Sequence, residues 1–192
     1  MKETILSLLL ALTTSAGAQV KCHIDGRVLT KQWGDDVVIC PMGIDLTALL
    51  LRPGQPYIDY QVRLADGQLV PVSSLTRGRV ALIDLWASWC GPCRRHSRAL
   101  IPLYNKCKDQ GFTVVAIARE QHAEDMTAAH ARDGYPWPSL LDLQDELNVW
   151  SLNGVGNAGG AMFLLNRDGN ILSRSTDVQE LEPLIRKALG GE

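Results

Sequence analysis

Excess charge of either sign is missing from this sequence. Nineteen Lys and Arg residues face twenty-one Asp and Glu, for a formal net charge of −2 over 192 residues. No long basic stretch interrupts that balance, which leaves nothing to hold a nucleic acid. Long hydrophobic runs are absent beyond the first twenty residues, so no later segment is apolar enough to span a bilayer. There are no repeats and no low-complexity segment. Aromatic residues make up only 6% of a chain that is 46% hydrophobic. What remains is one globular domain with a small appendage.

The opening residues read as an export leader. Lys2 gives a short positive start, partly offset by Glu3, and Ile5 to Leu12 form an apolar run too short for a permanent span. Ala16-Gly17-Ala18 supplies the small residues that signal peptidase requires, which predicts a leader over residues 1–18. The product is then periplasmic or otherwise exported, in a compartment where disulfides persist. Residues 19–56 are short apolar runs punctuated by glycine and proline, with strand-like stretches at "VVIC" and "DLTALLL", and predict a small β-rich extension. Cys22 and Cys40 both fall in it, either as a stapling disulfide or as two separate thiols.

From Tyr57 to the end the pattern is that of an α/β domain. "YIDYQVRLADGQLVPVSSL" alternates around Asp66-Gly67 and predicts a hairpin. "RVALIDLW" (79–86) and "FTVVAIA" (112–118) are continuous apolar runs of strand length, as buried central strands require. Between them Leu100, Leu103, Tyr104 and Cys107 recur at helical spacing up to Gly111. "AEDMTAAHARDG" predicts a helix closed by Gly134, and "DLQDELNVWSLNG" a further short one. "AMFLLNRDGNILS" predicts two strands about a turn. In the tail, "VQELEPLIRKAL" is amphipathic, and Pro183 is expected to begin its regular part, since an interior proline breaks a helix.

Two cysteines, Cys90 and Cys93, sit at the joint between the first of these strands and its helix, within "LWASWCGPCRRH". The first turn of a helix carries unpaired N–H groups and the positive end of the dipole, and both stabilise a thiolate. Cys90 is therefore read as the exposed nucleophile and Cys93, one turn inside, as the resolving thiol. Gly91-Pro92 suit the first turn, where proline is tolerated. A zinc site needs two further ligands at close spacing, and His23, His96, His122 and His130 do not supply them. A purely structural disulfide across so small a loop constrains the unfolded chain little.

"LIDLWASWCGPC" resembles the active-site signature of the thioredoxin-like superfamily, in particular the exported TlpA/ResA-like thiol–disulfide oxidoreductases. The resemblance runs from about Tyr57 to Leu189. It implies a thioredoxin-like α/β fold, a central mixed sheet flanked by helices, over residues 57–192. It also implies a protein thiol–disulfide oxidoreductase that needs no cofactor and no metal beyond its own Cys90–Cys93 disulfide. The implied partners are exported cysteine-containing proteins such as apocytochromes, with a membrane thiol donor re-reducing the pair. Asp84 falls where thioredoxins keep a buried acid beneath the dithiol. In an apolar strand such a carboxyl has a raised pKa and serves as proton acceptor for Cys93 through water. Trp89, Gly91 and Pro92 match the family's substrate-contacting rim, and Trp86 its second tryptophan. One departure stands out. The family carries a cis-proline loop facing the dithiol, and here "NAGGAMFLL" puts Gly159 and Gly160 there, with Gly160 at the proline position. A non-proline cis bond costs about 2.5–4 kcal/mol, so a glycine-permissive loop of changed shape is expected.

Arg94, Arg95 and His96 either add positive charge near the dithiol or form a solvated helix face. Cys107 reads as a buried inert thiol, and Glu120 is near enough in sequence to the second strand's end to face the site. The Gly-Pro dipeptide resembles that of reducing thioredoxins, so the expected direction is reduction, although no residue states it. Two other classes compete. A non-catalytic thioredoxin-fold binding or chaperone-like module is supported by the absent cis-proline. A peroxiredoxin-type peroxidase would need a P-x-x-x-T-x-x-C setting, which "DLWASWC" lacks.

Overall fold

Seven consecutive residues of β6 (Val80–Trp86) are buried, and this strand organises the molecule. The computed structural model describes residues 18–24, 27–32, 36–39 and 51–191, the first three segments as backbone strands. Residues 1–17 of the expected leader, Cys40 with the proposed Cys22 pairing, and residues 45–50 of the strand expected over 45–51 lie outside the described residues; Leu51 itself is not in a strand, and Ala18 begins one. The chain divides into two compact units, Met1–Leu46 and Thr47–Glu192.

The first unit holds β1 (Ala18–Ile24), β2 (Arg27–Gln32) and β3 (Asp36–Ile39), in the order β2-β1-β3. β1 runs antiparallel to β2, with Cys22 opposite Leu29, and parallel to β3.

In the second unit, β4 (Gln61–Arg63) and β5 (Leu69–Pro71) form the hairpin about Asp66-Gly67. A one-turn helix, α1 (Ser73–Thr76), leads to β6. Then follow α2 (Gly91–Cys107), β7 (Phe112–Glu120), α3 (Ala123–Asp133), β8 (Ser139–Leu143) and α4 (Val149–Leu152). β9 (Ala161–Leu165), β10 (Ile171–Ser173) and α5 (Val178–Leu189) complete the unit. The main sheet has the order β10-β9-β6-β7-β8. β6, β7 and β8 are parallel, β9 pairs antiparallel with β6, and β10 pairs antiparallel with β9, giving the mixed sheet expected. β6 sits at the centre, apolar and buried on both faces along its whole length, Asp84 excepted in polarity, as a central strand requires.

α2 turns Cys93, Ser97, Leu100, Leu103 and Cys107 inward at helical spacing, and a short 3-10 turn carries the chain to Gly111, whose φ of 95° closes it. α2 and α5 pack on each other and on β6. No described helix is long and apolar enough to cross a membrane.

Two expectations about elements need correction. Residues 142–154 were expected to form one short helix, but Asp142 and Leu143 end β8 and the helix begins only at Val149. Parallel pairing of β8 with β7 wins over local propensity, and the buried Asp142 carboxylate, accepting from Leu147 N (2.8 Å) and Val149 N (2.9 Å), holds the turn between them. Likewise α5 starts at Val178 and keeps Pro183 in its interior. Asp177 caps it by accepting from Gln179 N at 2.8 Å, and the buried Leu181 and Ile185 hold the turns on either side of the proline.

Arg94 on α2 and Asp133 at the end of α3 join these helices. The guanidinium grips the carboxylate at 2.6 and 2.7 Å, Arg98 adds a contact at 3.0 Å, and the Tyr135 hydroxyl donates at 3.0 Å. The bond from Arg94, with smaller help from Tyr135 and Arg98, holds the Asp133 carboxyl down at about 2. The depressed value means that this stability is present above the unfolded pKa near ~3.9 and is lost as pH falls through about 2. Asp133→Asn is expected to cost about 1–3 kcal/mol at pH 7, because Arg94 is left half-buried without its charge partner. The loss should shrink toward pH 2, and urea unfolding across that range measures it.

Candidate active site

The chain leaves the core at the end of β6, passes through Ala87-Ser88-Trp89 and enters α2 at Cys90. That loop is held by three hydrogen bonds to two side chains. The Ser88 N–H donates to Glu120 at the end of β7, the Ser88 hydroxyl donates to the same carboxylate at 2.8 Å, and Arg94 reaches the Ser88 carbonyl at 3.4 Å. Glu120 is buried, and burial raises its carboxyl against the lowering effect of the two Ser88 bonds. Glu120 therefore faces the loop that carries the cysteines rather than the sulfurs themselves. Arg94 is spent on Asp133, so its positive charge is neutralised away from the dithiol.

Cys90 is the N-cap residue of α2, and Cys90 and Cys93 are joined as a disulfide with their Cα atoms 5.3 Å apart. The Cys93 N–H, one of the unpaired donors of the first turn, points at Cys90 Sγ at 3.3 Å. Gly91 and Pro92 are exposed between them. Cys90 was expected to be exposed, yet in the disulfide both cysteines are buried, at 4% and 7%. Trp89 is 54% exposed beside them, its ring 5.5 Å from that of Trp150, over which Arg119 lies at 5.3 Å. Trp86 is fully buried against Tyr135.

Asp84 lies beneath the disulfide at 1% exposure. Burial raises its carboxyl to about 7, against a smaller lowering by the Ser97 hydroxyl. Ser97 stands four residues after Cys93 and bridges the two, with Oγ 2.7 Å from Asp84 Oδ2 and 3.0 Å from the Cys93 carbonyl. Its one proton serves only one of these at a time. When Asp84 is protonated, the acid donates to Ser97 and Ser97 donates to Cys93 O. A cleft of about 10 Å³ lies between Asp84, Cys93, His96, Gly160, Met162 and Thr176. That is room for about one water, the size a proton relay from Cys93 to Asp84 requires.

Gly159 and Gly160 precede β9 and lie across from α2. Gly160 N–H donates to Cys93 Sγ at 3.1 Å. All described peptide bonds are trans, so the loop differs in shape from a cis-proline loop, as expected. Cys107 is buried and unbonded on the apolar stripe of α2. Arg95 is exposed, whereas His96 is half-buried at the cleft. Ser97 and Ser88 went unnoticed in the sequence. Ser97 was findable, since it continues the inward stripe one turn past Cys93. The Ser88–Glu120 clamp was not, because its partners are 32 residues apart.

Comparison with known proteins agrees with this geometry. A family model described as Redoxin matches residues 53–189. The chain is 25% identical over 111 residues to the thiol-disulfide oxidoreductase ResA of Geobacillus kaustophilus, covering 57% of this chain and 62% of that protein. It is 26% identical over 118 residues to the thiol:disulfide interchange protein HelX of Rhodobacter capsulatus, covering 59% of this chain and 65% of the relative. The chain thus spans a little under two thirds of the length of these curated relatives. Among solved structures, one described as the thiol:disulfide interchange protein DsbE of Chlorobium tepidum matches with a TM-score of 0.60 at 28% identity. That match covers 73% of this chain and 99% of the other.

Proposed function

The chain belongs to the Redoxin family, and from that premise we propose that it is an exported thiol–disulfide oxidoreductase working as a reductant through Cys90 and Cys93. The observation that carries this reading is the Cys90–Cys93 disulfide at the head of α2 with a protonatable Asp84 buried behind it. In the reduced protein Cys90 is the nucleophile. Its thiolate, favoured by the Cys93 N–H and the helix dipole, attacks one sulfur of a substrate disulfide, the substrate S–S bond breaks with its other sulfur leaving as a thiolate, and a mixed disulfide forms. Cys93 then attacks Cys90 Sγ, releases the substrate thiolate and closes the disulfide. Asp84 takes the Cys93 proton. An acceptor near 7 suits this step, because a general base works best when its pKa lies near the operating pH.

Exposed Trp89, Gly91 and Pro92, with the backbone of Gly159 and Gly160, form the surface that meets the substrate chain. Oxidised cysteine-containing proteins of the exported compartment, apocytochromes among them, are the substrates, and a membrane thiol donor restores the dithiol. No cofactor enters this cycle. Support for the reducing direction is the Gly-Pro pair between the cysteines, shared with thioredoxins whose potential lies near ~−270 mV. Equilibration with defined thiol buffers tests it. A potential at or below ~−250 mV supports a reductase, a value of ~−120 to −180 mV makes the protein an oxidant or isomerase, and no reversible couple sinks the enzymatic reading.

A further inference from the structure

We propose that the Gly160 amide is a built-in donor for the charge that forms on the Cys93 sulfur when the Cys90–Cys93 bond opens. The inference rests on the thiol–disulfide reading and adds to it a group that touches the reacting atom. When an external thiolate attacks Cys90 Sγ, a new S–S bond forms to Cys90. The Cys90–Cys93 bond breaks, and its electron pair stays on Cys93 Sγ. The departing thiolate develops 3.1 Å from the Gly160 N–H, which already points at it in the disulfide. A donor fixed in advance stabilises charge that appears in the transition state more than it stabilises the neutral sulfur before it. The reverse step, Cys93 thiolate attacking Cys90 in a mixed disulfide, starts from the same hydrogen-bonded thiolate.

The position is built for glycine. A Cβ at residue 160 would lie 1.7 Å from the Leu85 carbonyl oxygen, 2.8 Å from its carbon and 3.1 Å from Cys93 Sγ. Leu85 is a buried residue of the central strand, paired opposite Ala161, so its carbonyl has little room to yield. Gly160 is not among the residues with positive φ. The requirement is therefore close approach, not an unusual backbone angle. Proline, the residue at this point of the thioredoxin-like pattern, has no N–H to give. The substitution that departs from the pattern thus opens the space for backbone and supplies a donor in one change.

The test is NMR on the reduced full chain, following the Gly160 amide and the Cys93 Cβ as pH is raised. The Gly160 amide proton should move downfield with the same midpoint as Cys93, and this movement should vanish in Cys93→Ser. Gly160→Pro removes the N–H but also places a Cβ against the Leu85 carbonyl, so it is compared with Gly160→Ala, which adds the same Cβ and keeps the N–H. Reduction of the oxidised proline variant by dithiothreitol should be about tenfold slower than that of the alanine variant, and its Cys93 midpoint about one pH unit higher. A Gly160 amide that ignores the Cys93 titration overturns the proposal whatever the proline variant does. So does a folded Gly160→Pro whose midpoint and rate match those of Gly160→Ala. An absent redox couple would instead remove the enzymatic reading and leave the amide titration readable in the reduced protein.

Discussion

Cys90→Ser abolishes turnover in an insulin-reduction assay, by about 10³-fold or more, while Cys93→Ser loses turnover just as fully but accumulates a mixed disulfide with substrate. The asymmetry follows from position. Cys90 caps α2 and receives the Cys93 N–H at 3.3 Å, so it has the thiolate-stabilising end of the helix. A serine hydroxyl there stays protonated and forms no covalent intermediate. Without Cys93, the attack by Cys90 proceeds and nothing resolves the product. Non-reducing electrophoresis reads the difference directly, as a mass shift reversed by dithiothreitol in Cys93→Ser only. Both variants should fold, because a loop this short adds only about 2 kcal/mol through chain entropy. A trapped complex in Cys90→Ser instead would exchange the two roles, and retained turnover in either variant would remove the dithiol mechanism.

Asp84→Asn has the second large effect, and it moves stability and activity in opposite directions. The Asp84 carboxyl is raised to about 7 by burial, against ~3.9 in an unfolded chain. The native state therefore keeps a proton that the unfolded state releases between those values. Stability from this group is fully present below about pH 4 and is lost as pH rises through about 7. Asparagine does not ionise, so the variant should be flat across the same window. At pH 8 it should exceed the wild type by about 2–4 kcal/mol. The two should converge near pH 4. Meanwhile the resolving step near pH 7 should slow by about 10²-fold, as loss of a positioned proton acceptor does. Urea unfolding of both oxidised proteins at pH 4, 6 and 8 measures the first effect, and stopped-flow decay of a preformed mixed disulfide the second. Parallel stability curves would mean that Asp84 is ionised throughout, ending its role as acceptor.

The sequence by itself determined what depends on neighbours along the chain. The apolar run 80–86 could only be a buried strand, and Asp66-Gly67 marked the hairpin of β4 and β5 that precedes it. Gly111 and Gly134 marked where the chain leaves its helical stretches. The dithiol at the joint of strand and helix was legible because a helix start, its free N–H groups and a CxxC spacing all lie within a few residues. Asp84 was marked by the resemblance to thioredoxin-like proteins, as the one carboxyl of the apolar run 80–86. Tertiary structure alone decided what depends on partners far apart in the chain. β8 became a strand because β7 offered it an edge, and α5 ran through Pro183 because its buried side and the Asp177 cap outweighed one lost hydrogen bond. Ser97 meets Asp84 across 13 residues, Ser88 meets Glu120 across 32, Arg94 meets Asp133 across 39 and Gly160 meets Cys93 across 67. Periodicity, caps and turns report interactions within about one or two turns of chain. Which carboxylate or amide faces a given side chain from another element is set by sheet order and register, and those exist only once the strands have paired.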